Sequence, residues 1–309
     1  MVKKLVITGS NGLLGQKLVK LFLDKRNYEI FALSRGENRL SNKEGYQYIE
    51  IDLLDRNLLE KTLLEIAPDI IIHTAAMTNV DACELNPEEC DQMNIEVVKN
   101  LIDYCQGREV YFVHLSTDFI FDGKKTGLYK EDDPANPVNH YGLSKWKSEK
   151  LLRSSGIKHS VLRTILVYGL VDRNDRSNIV LWVKDSLESG KVIRVVTDQL
   201  RMPTYAEDLA EACWLAVSKE AQGVFNVSCN TLLSIHEIAL AVADEFNLDK
   251  NLIKPVETNA LNLPAERPVR TGFDLDKSVK EINLPLYSFT ERLQAFKNQL
   301  DSYYGSRSS

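Results

Sequence analysis

Tyr141 and Lys145 stand four residues apart in His140-Tyr141-Gly142-Leu143-Ser144-Lys145, which opens a predicted helix running to about residue 152. At that spacing both side chains share one helix face. A free phenol titrates near about 10 and is a poor acid–base group at neutral pH. A neighbouring ammonium stabilises the phenolate and lowers that value. Such a pair can hand a proton to a carbonyl oxygen while the carbonyl carbon is reduced. The spacing alone is common on solvated helix surfaces, so the chemistry needs partners. One lies 24 residues before Tyr141, where an apolar strand runs into Ser116-Thr117-Asp118. A hydroxyl at the carboxyl end of that strand can bond the same carbonyl and orient the phenol. Thr117 is the candidate and Ser116 competes with it; either can instead serve a turn or a cap.

A second constellation lies at the start of the chain. Leu5-Val6-Ile7-Thr8-Gly9-Ser10-Asn11-Gly12-Leu13-Leu14-Gly15 reads as a strand, a G-x-x-G-x-x-G turn and a helix opening. Gly9 permits the tight turn, Gly12 admits a pyrophosphate to the helix N-terminus, and Gly15 allows close helix–sheet packing. Gly9, Asn11, Gly12, Leu13, Leu14 and Gly15 are therefore the expected dinucleotide contacts. The second strand ends at Ser34-Arg35, roughly 20 residues past the last glycine, where an acid favours NAD and an Arg favours the 2′-phosphate of NADP. Ser34 and Arg35 point to NADP(H), with NAD(H) as the alternative. Asp52, followed by Leu53, suits the adenine amino group; the other reading is a helix N-terminal acid near Arg56.

The elements that must position these groups follow from periodicity. Residues 5–8, 29–34, 46–53, 69–75, 110–116 and 160–168 are strand-like, several of them continuously apolar, as in parallel strands buried on both faces. Helical patterns at 12–25, 56–67 and 87–106 alternate with them. This predicts an α/β fold: a Rossmann-like doubly wound parallel sheet with a smaller, partly discontinuous C-terminal substrate domain. Residues 1–169 are the expected dinucleotide-binding domain, with elements around 206–229 returning to it, and 170–309 are mainly the substrate domain. Helices are expected at 178–189, 206–218 and 235–246, strands at 192–196 and 224–227, mostly loop over 255–273, and a frayed tail at 305–309.

Composition bounds the rest. The 309 residues carry 38 Lys+Arg against 44 Asp+Glu, a net charge of −6, which argues against a nucleic-acid partner. No run approaches the roughly 18–20 apolar residues of a membrane span. The five cysteines form no C-x-x-C pair and the histidines show no metal spacing, so reduced thiols, no metal and a cytoplasmic location are expected.

Taken in order, Thr8 to Gly15, Ser116-Thr117-Asp118 and Tyr141-x-x-x-Lys145 resemble the extended short-chain dehydrogenase/reductase family over nearly the whole chain. The segments 68–84 and 116–123, Leu162-Arg163-Thr164, Asp198-Gln199 with Pro203-Thr204, and Arg267-Pro268 are most similar to its dTDP-4-dehydrorhamnose reductase branch. The resemblance implies reduction of a 4-keto nucleotide sugar by NADP(H) or NAD(H), with Thr117, Tyr141 and Lys145 as the catalytic triad. It implies that Lys145 also bonds the nicotinamide ribose and that Ala75, Ala76 and Thr78 line the cofactor after the fourth strand. It places residues 163–168 beside nicotinamide and sugar, and a homodimer is its expected assembly. Thr117, Asp118, Arg201 and Arg267 are the expected substrate contacts; the arginines, with Arg270, suit a diphosphate or equally surface ion pairs. Leu166 replaces a Trp of the branch and Arg270 an Asn. The alternatives are an epimerase, dehydratase or other carbonyl reductase on this fold, and a non-catalytic nucleotide-binding regulatory subunit. Asp118-Phe119 lacks the Asp-Glu pair typical of a dehydratase.

Overall fold

A computed structural model of the protein describes residues 2–172 and 177–305. Strands β1 (Lys3–Thr8), β2 (Tyr28–Ser34), β3 (Gln47–Glu50), β4 (Ile70–His73), β5 (Tyr111–Thr117) and β6 (His159–Thr164) join a seventh, Gly223–Val227, in one parallel sheet. The order is seventh–β6–β5–β4–β1–β2–β3. Val6 of β1 lies between Phe31 of β2 and Ile71 of β4, and all three are buried. Burial on both faces is why these strands are continuously apolar rather than alternating.

Helices cover both faces. On one, α1 (Leu13–Lys25) contributes Leu18 and Phe22 to the core shared with Leu209 and Cys213 of the helix Ala206–Lys219. On the other, α2 (Arg56–Ile66) contributes Leu59 and Leu63. Each such buried side chain is worth roughly 1.5–3 kcal/mol over exposure. A separate core around Phe121, Tyr168, Val183, Ile238, Phe273 and Phe296 belongs to the C-terminal part. All five cysteines are buried free thiols. Among the described residues, no helix is long and apolar enough to cross a membrane.

The chain departs from the expected elements where tertiary contacts outweigh local pattern. The helix expected over 87–106 is broken: α3 (Val80–Leu85) and α4 (Pro87–Asp91) precede a π-turn at Gln92–Glu96, and α5 (Val97–Cys105) follows. The wider turn serves buried Asn94, whose amide accepts from Met77 N at 2.9 Å and donates to Met77 O and Ser144 Oγ, both at 3.0 Å. The strand expected over 160–168 stops at Thr164, because Leu166 takes a φ of +43°. Val167–Tyr168 pairs instead with Thr204–Tyr205. The expected loop at 255–273 begins inside a short strand, Ile253–Val256, paired with Ile193–Val196. Residues 306–309 of the expected tail lie outside the described residues, and Gly305 closes the last helix.

Among the described residues, one ion pair is wholly inside. Helix α6 (His140–Ser155) carries Glu149, which takes Arg163 of β6 in a fork, Nε–Oε1 at 3.0 Å and Nη2–Oε2 at 2.8 Å. Both side chains are 0% exposed. Removing one partner strands a buried charge, which costs about 3–5 kcal/mol. Arg163→Leu is therefore expected to lower the urea midpoint by that equivalent. Arg163→Leu combined with Glu149→Leu should recover much of the loss, measured by equilibrium denaturation.

Candidate functional site

The strand order reverses between β1 and β4, so their carboxyl ends open a crevice, where open α/β sheets bind ligands. A cleft of about 700 Å³ occupies that position. At its floor Gly9 takes a φ of +71°, and a Cβ there would fall 2.7 Å from Ala75 N. Gly12 is the N-cap of α1, offers no side-chain cap, and donates its N–H to Gly9 O at 2.8 Å. The first amides of a 13-residue helix are thus free of a capping side chain. Gly9, Asn11, Gly12, Leu13 and Leu14 line the cleft. Gly15 does not; it packs beneath the turn, where a Cβ would meet Gly9 O at 2.3 Å. This glycine cradle fits the pyrophosphate of a dinucleotide.

The rim beside β2 and β3 is polar and basic. Ser34, Arg35, Asp52 and Leu53 line it, and Arg35 Nη1 lies 3.9 Å from Asp52 Oδ2 in an exposed pair. Arg39 lines it too and was not foreseen; a second Arg four residues beyond Arg35 was the available signal. Ala75, Ala76 and Thr78 line the cleft after β4.

At the opposite end α6 begins. Asn139 caps it, accepting from Gly142 N at 2.8 Å, and donates to Glu266 O at 2.8 Å. A Cβ on Gly142 would fall 2.0 Å from Phe119 O, so α6 starts flush against the short turn Asp118–Ile120 after β5. That contact sets Tyr141 beside Thr117. Tyr141 and Thr117 line the cleft together; burial pushes the phenol's pKa up, and the Thr117 hydroxyl beside it opposes the rise. Ser116 Oγ also lines the cleft, buried with no hydrogen-bond partner.

One turn along α6, Lys145 is 3% exposed. Its Nζ donates to His114 Nε2 at 3.3 Å. Burial brings its pKa down to about 8, against the pull of Glu149. His114 is held neutral by burial and by the Lys145 charge. It stacks at 5.8 Å on His73, whose pKa burial lowers to about 3. The lysine thus rests on an uncharged imidazole floor.

Asp118, Arg201 and Arg267 line the cleft, but their charges are engaged within the protein. Arg201 Nε lies 3.6 Å from Asp118 Oδ2, and its Nη2 donates to Pro268 O at 2.7 Å. Thr271 Oγ1 donates to the same carboxylate oxygen, and Thr117 to the other at 3.1 Å. Burial raises the Asp118 pKa while Arg201 pulls it down. Arg267 forks onto Asp81 at 2.6 and 2.7 Å. Asn94, which the helical pattern did not single out, ties the exit of β4 to α6. Among the described residues, no group of three or more His, Cys, Asp or Glu side chains is placed to hold a metal ion.

Comparison with known proteins adds four findings. The sequence profile of the family described as the RmlD substrate binding domain matches residues 3–302. The chain is 30% identical over 288 residues to a dTDP-4-dehydrorhamnose reductase of Aggregatibacter actinomycetemcomitans, covering 89% of this chain and 91% of the relative. It is 29% identical over 280 residues to methionine adenosyltransferase 2 subunit beta of Bos taurus, covering 89% and 81%. The crystal structure of dTDP-4-dehydrorhamnose reductase from Bacillus anthracis in complex with NADP superposes with a TM-score of 0.85 at 26% identity, covering 97% of this chain and all of that one.

The Asp118–Arg201 pair predicts its own stability test. Asp118→Ala leaves a buried guanidinium without its countercharge and should destabilise the fold by about 3 kcal/mol. Asp118→Asn keeps an acceptor for Thr271 and should cost less; thermal and urea unfolding of both variants checks the order.

Proposed function

Because the chain belongs to the RmlD substrate binding domain family, we propose that it is an NADP(H)-dependent reductase of a 4-keto nucleotide sugar. The observation that carries this reading is the gathering of Thr117, Tyr141 and, one turn along α6, Lys145 in the same cleft as the uncapped N-terminus of α1. On this reading residues 1–169, with 206–229, form the cofactor half, and the remainder of 170–309 the substrate half. NADP(H) is the cofactor, held at the turn by Gly9, Gly12, Leu13 and Leu14 and by the backbone of Asn11. Ser34, Arg35, Asp52 and Leu53 take the adenosine end, and Ala75, Ala76 and Thr78 the wall after β4. NAD(H) is the weaker alternative, since Arg35 stands where an acid would favour it.

A bound reduced nicotinamide supplies hydride to the carbonyl carbon. Tyr141 supplies the proton to the carbonyl oxygen, and the Thr117 hydroxyl, turned from Asp118 Oδ1, donates a hydrogen bond to that oxygen. The Lys145 ammonium stabilises the phenolate that Tyr141 becomes, and protons from solvent restore it. Asp118 and Arg201 act on the substrate through Thr117 and the wall they hold, since their charges already meet each other. Arg267 reaches the substrate while anchored to Asp81. An elimination such as a dehydratase performs calls for further acid and base groups. Asp118 is followed here by Phe119, whose ring packs edge-on against Tyr141 at 6.0 Å.

The test is NADPH absorbance with a panel of dTDP- and UDP-linked 4-keto sugars. Substrate-dependent loss of NADPH is expected, and Tyr141→Phe should lower kcat roughly 10²–10⁴-fold with cofactor affinity retained. Tight cofactor binding without turnover on any ketone would instead support a non-catalytic nucleotide-binding subunit; the Bos taurus relative is named as a subunit. Rearrangement of the sugar without net NADPH loss would support an epimerase.

The pH dependence has a definite sign. Lys145 is an ammonium below its pKa of about 8 and neutral above it. The reduction rate, kcat/KM, should therefore be flat on the acid side and fall about tenfold per pH unit well above 8. Lys145→Arg, which stays charged, should abolish that limb whatever rate it retains.

A further inference from the structure

Asn11 lies in the glycine turn, yet its side chain is bound to a different segment. Its Nδ2 is 3.0 Å from Arg35 O, 2.9 Å from Glu37 O and 3.0 Å from Tyr48 Oη. Its Oδ1 accepts the Arg39 N–H at 2.9 Å. A primary amide has two N–H groups and one carbonyl oxygen, and here all of them go to the loop that follows β2. Tyr48 of β3 reinforces the same loop: its hydroxyl donates to Gly36 O and lies 3.3 Å from Ser34 O. Gly36 turns the loop with a φ of +69° and has nothing within 4 Å of where a Cβ would stand. The amide of Asn11 and the phenol of Tyr48 between them bond the loop backbone at Ser34, Arg35, Gly36, Glu37 and Arg39.

That loop carries Arg35 and Arg39, both of which line the cleft. We infer that Asn11 is a positioning residue for cofactor choice: it locks residues 35–39 so that both guanidinium groups meet the 2′-phosphate that distinguishes NADP from NAD. The inference rests on the NADP(H) reading above and adds the residue that enforces it. The argument is one of preorganisation. A guanidinium on a fixed loop meets a phosphate without first losing the freedom of the loop. If the loop is released, the phosphate loses ordered cations, while the pyrophosphate keeps its cradle at Gly9 and Gly12. The cost should therefore fall on the phosphorylated ligand alone. A purely structural role for Asn11 predicts the opposite pattern, equal weakening of both ligands with a lower melting temperature.

Calorimetric titration with adenosine 2′,5′-bisphosphate and with ADP separates these outcomes without any sugar substrate. The wild type should bind the bisphosphate more tightly. Asn11→Ala should weaken it about tenfold while changing ADP by less than about twofold, the scale of one or two lost hydrogen bonds. Tyr48→Phe should shift the ratio in the same direction by about threefold, and it decides the matter if Asn11→Ala does not fold. A wild-type preference that both variants retain, or equal weakening of both ligands, overturns the inference and leaves the NADP(H) reading standing. A wild type that binds the two ligands equally overturns that reading and the inference with it.

Discussion

No side chain fits where α6 meets the end of β5. A Cβ on Gly142 would stand 2.0 Å from the Phe119 carbonyl oxygen, and the two backbones touch only because that residue is glycine. The approach brings the first turn of a 16-residue helix onto the turn after a central strand. Tyr141, adjacent to Gly142, is thereby set against Thr117, and Lys145 follows one turn later on the same face. Gly9 plays the equivalent part on the other wall, where its backbone meets Ala75 N. The cleft is bounded at both ends by contacts that admit hydrogen and nothing larger.

The electrostatics depend on that closeness. Lys145 is buried on neutral His114, so its charge is poorly solvated and its pKa falls. Glu149, one turn further, opposes the fall, but its carboxylate is already forked by Arg163. Among the described residues no carboxylate lies within ion-pair distance of the ammonium, which leaves its field available to a phenolate on the same helix face. A carboxylate in direct contact would have stabilised the ammonium and weakened its effect on Tyr141.

Charges at the cleft fasten segments that lie far apart in the chain, beside a core in which Phe121 and Tyr168 pack with Phe273 and Phe296. Asp118, at the end of β5, takes Arg201 and Thr271 from the C-terminal part. Asp81 of α3 takes Arg267, and Asn139 bonds Glu266 O. These contacts account for arginines that read from sequence as substrate ligands: they line the cleft, but each already has an acidic partner. Spacing shows that an arginine is available; only coordinates show what it faces.

The sequence by itself determined the sheet strands, the glycine turn, the Tyr–Lys face and the place of Ser34-Arg35 at the end of β2, because each is a local pattern of a few residues with one stable geometry. It did not reveal the π-turn at Asn94, the break at Leu166, the place of Arg39 or the partners of Arg201 and Arg267. Those depend on groups tens to hundreds of residues away: Asn94 on Met77 and Ser144, Arg267 on Asp81, Asn11 on Tyr48. The choice between Ser116 and Thr117 was of the same kind. Both hydroxyls line the cleft, and the packing of α6 against the turn after β5, which no local pattern encodes, sets where the phenol stands relative to them.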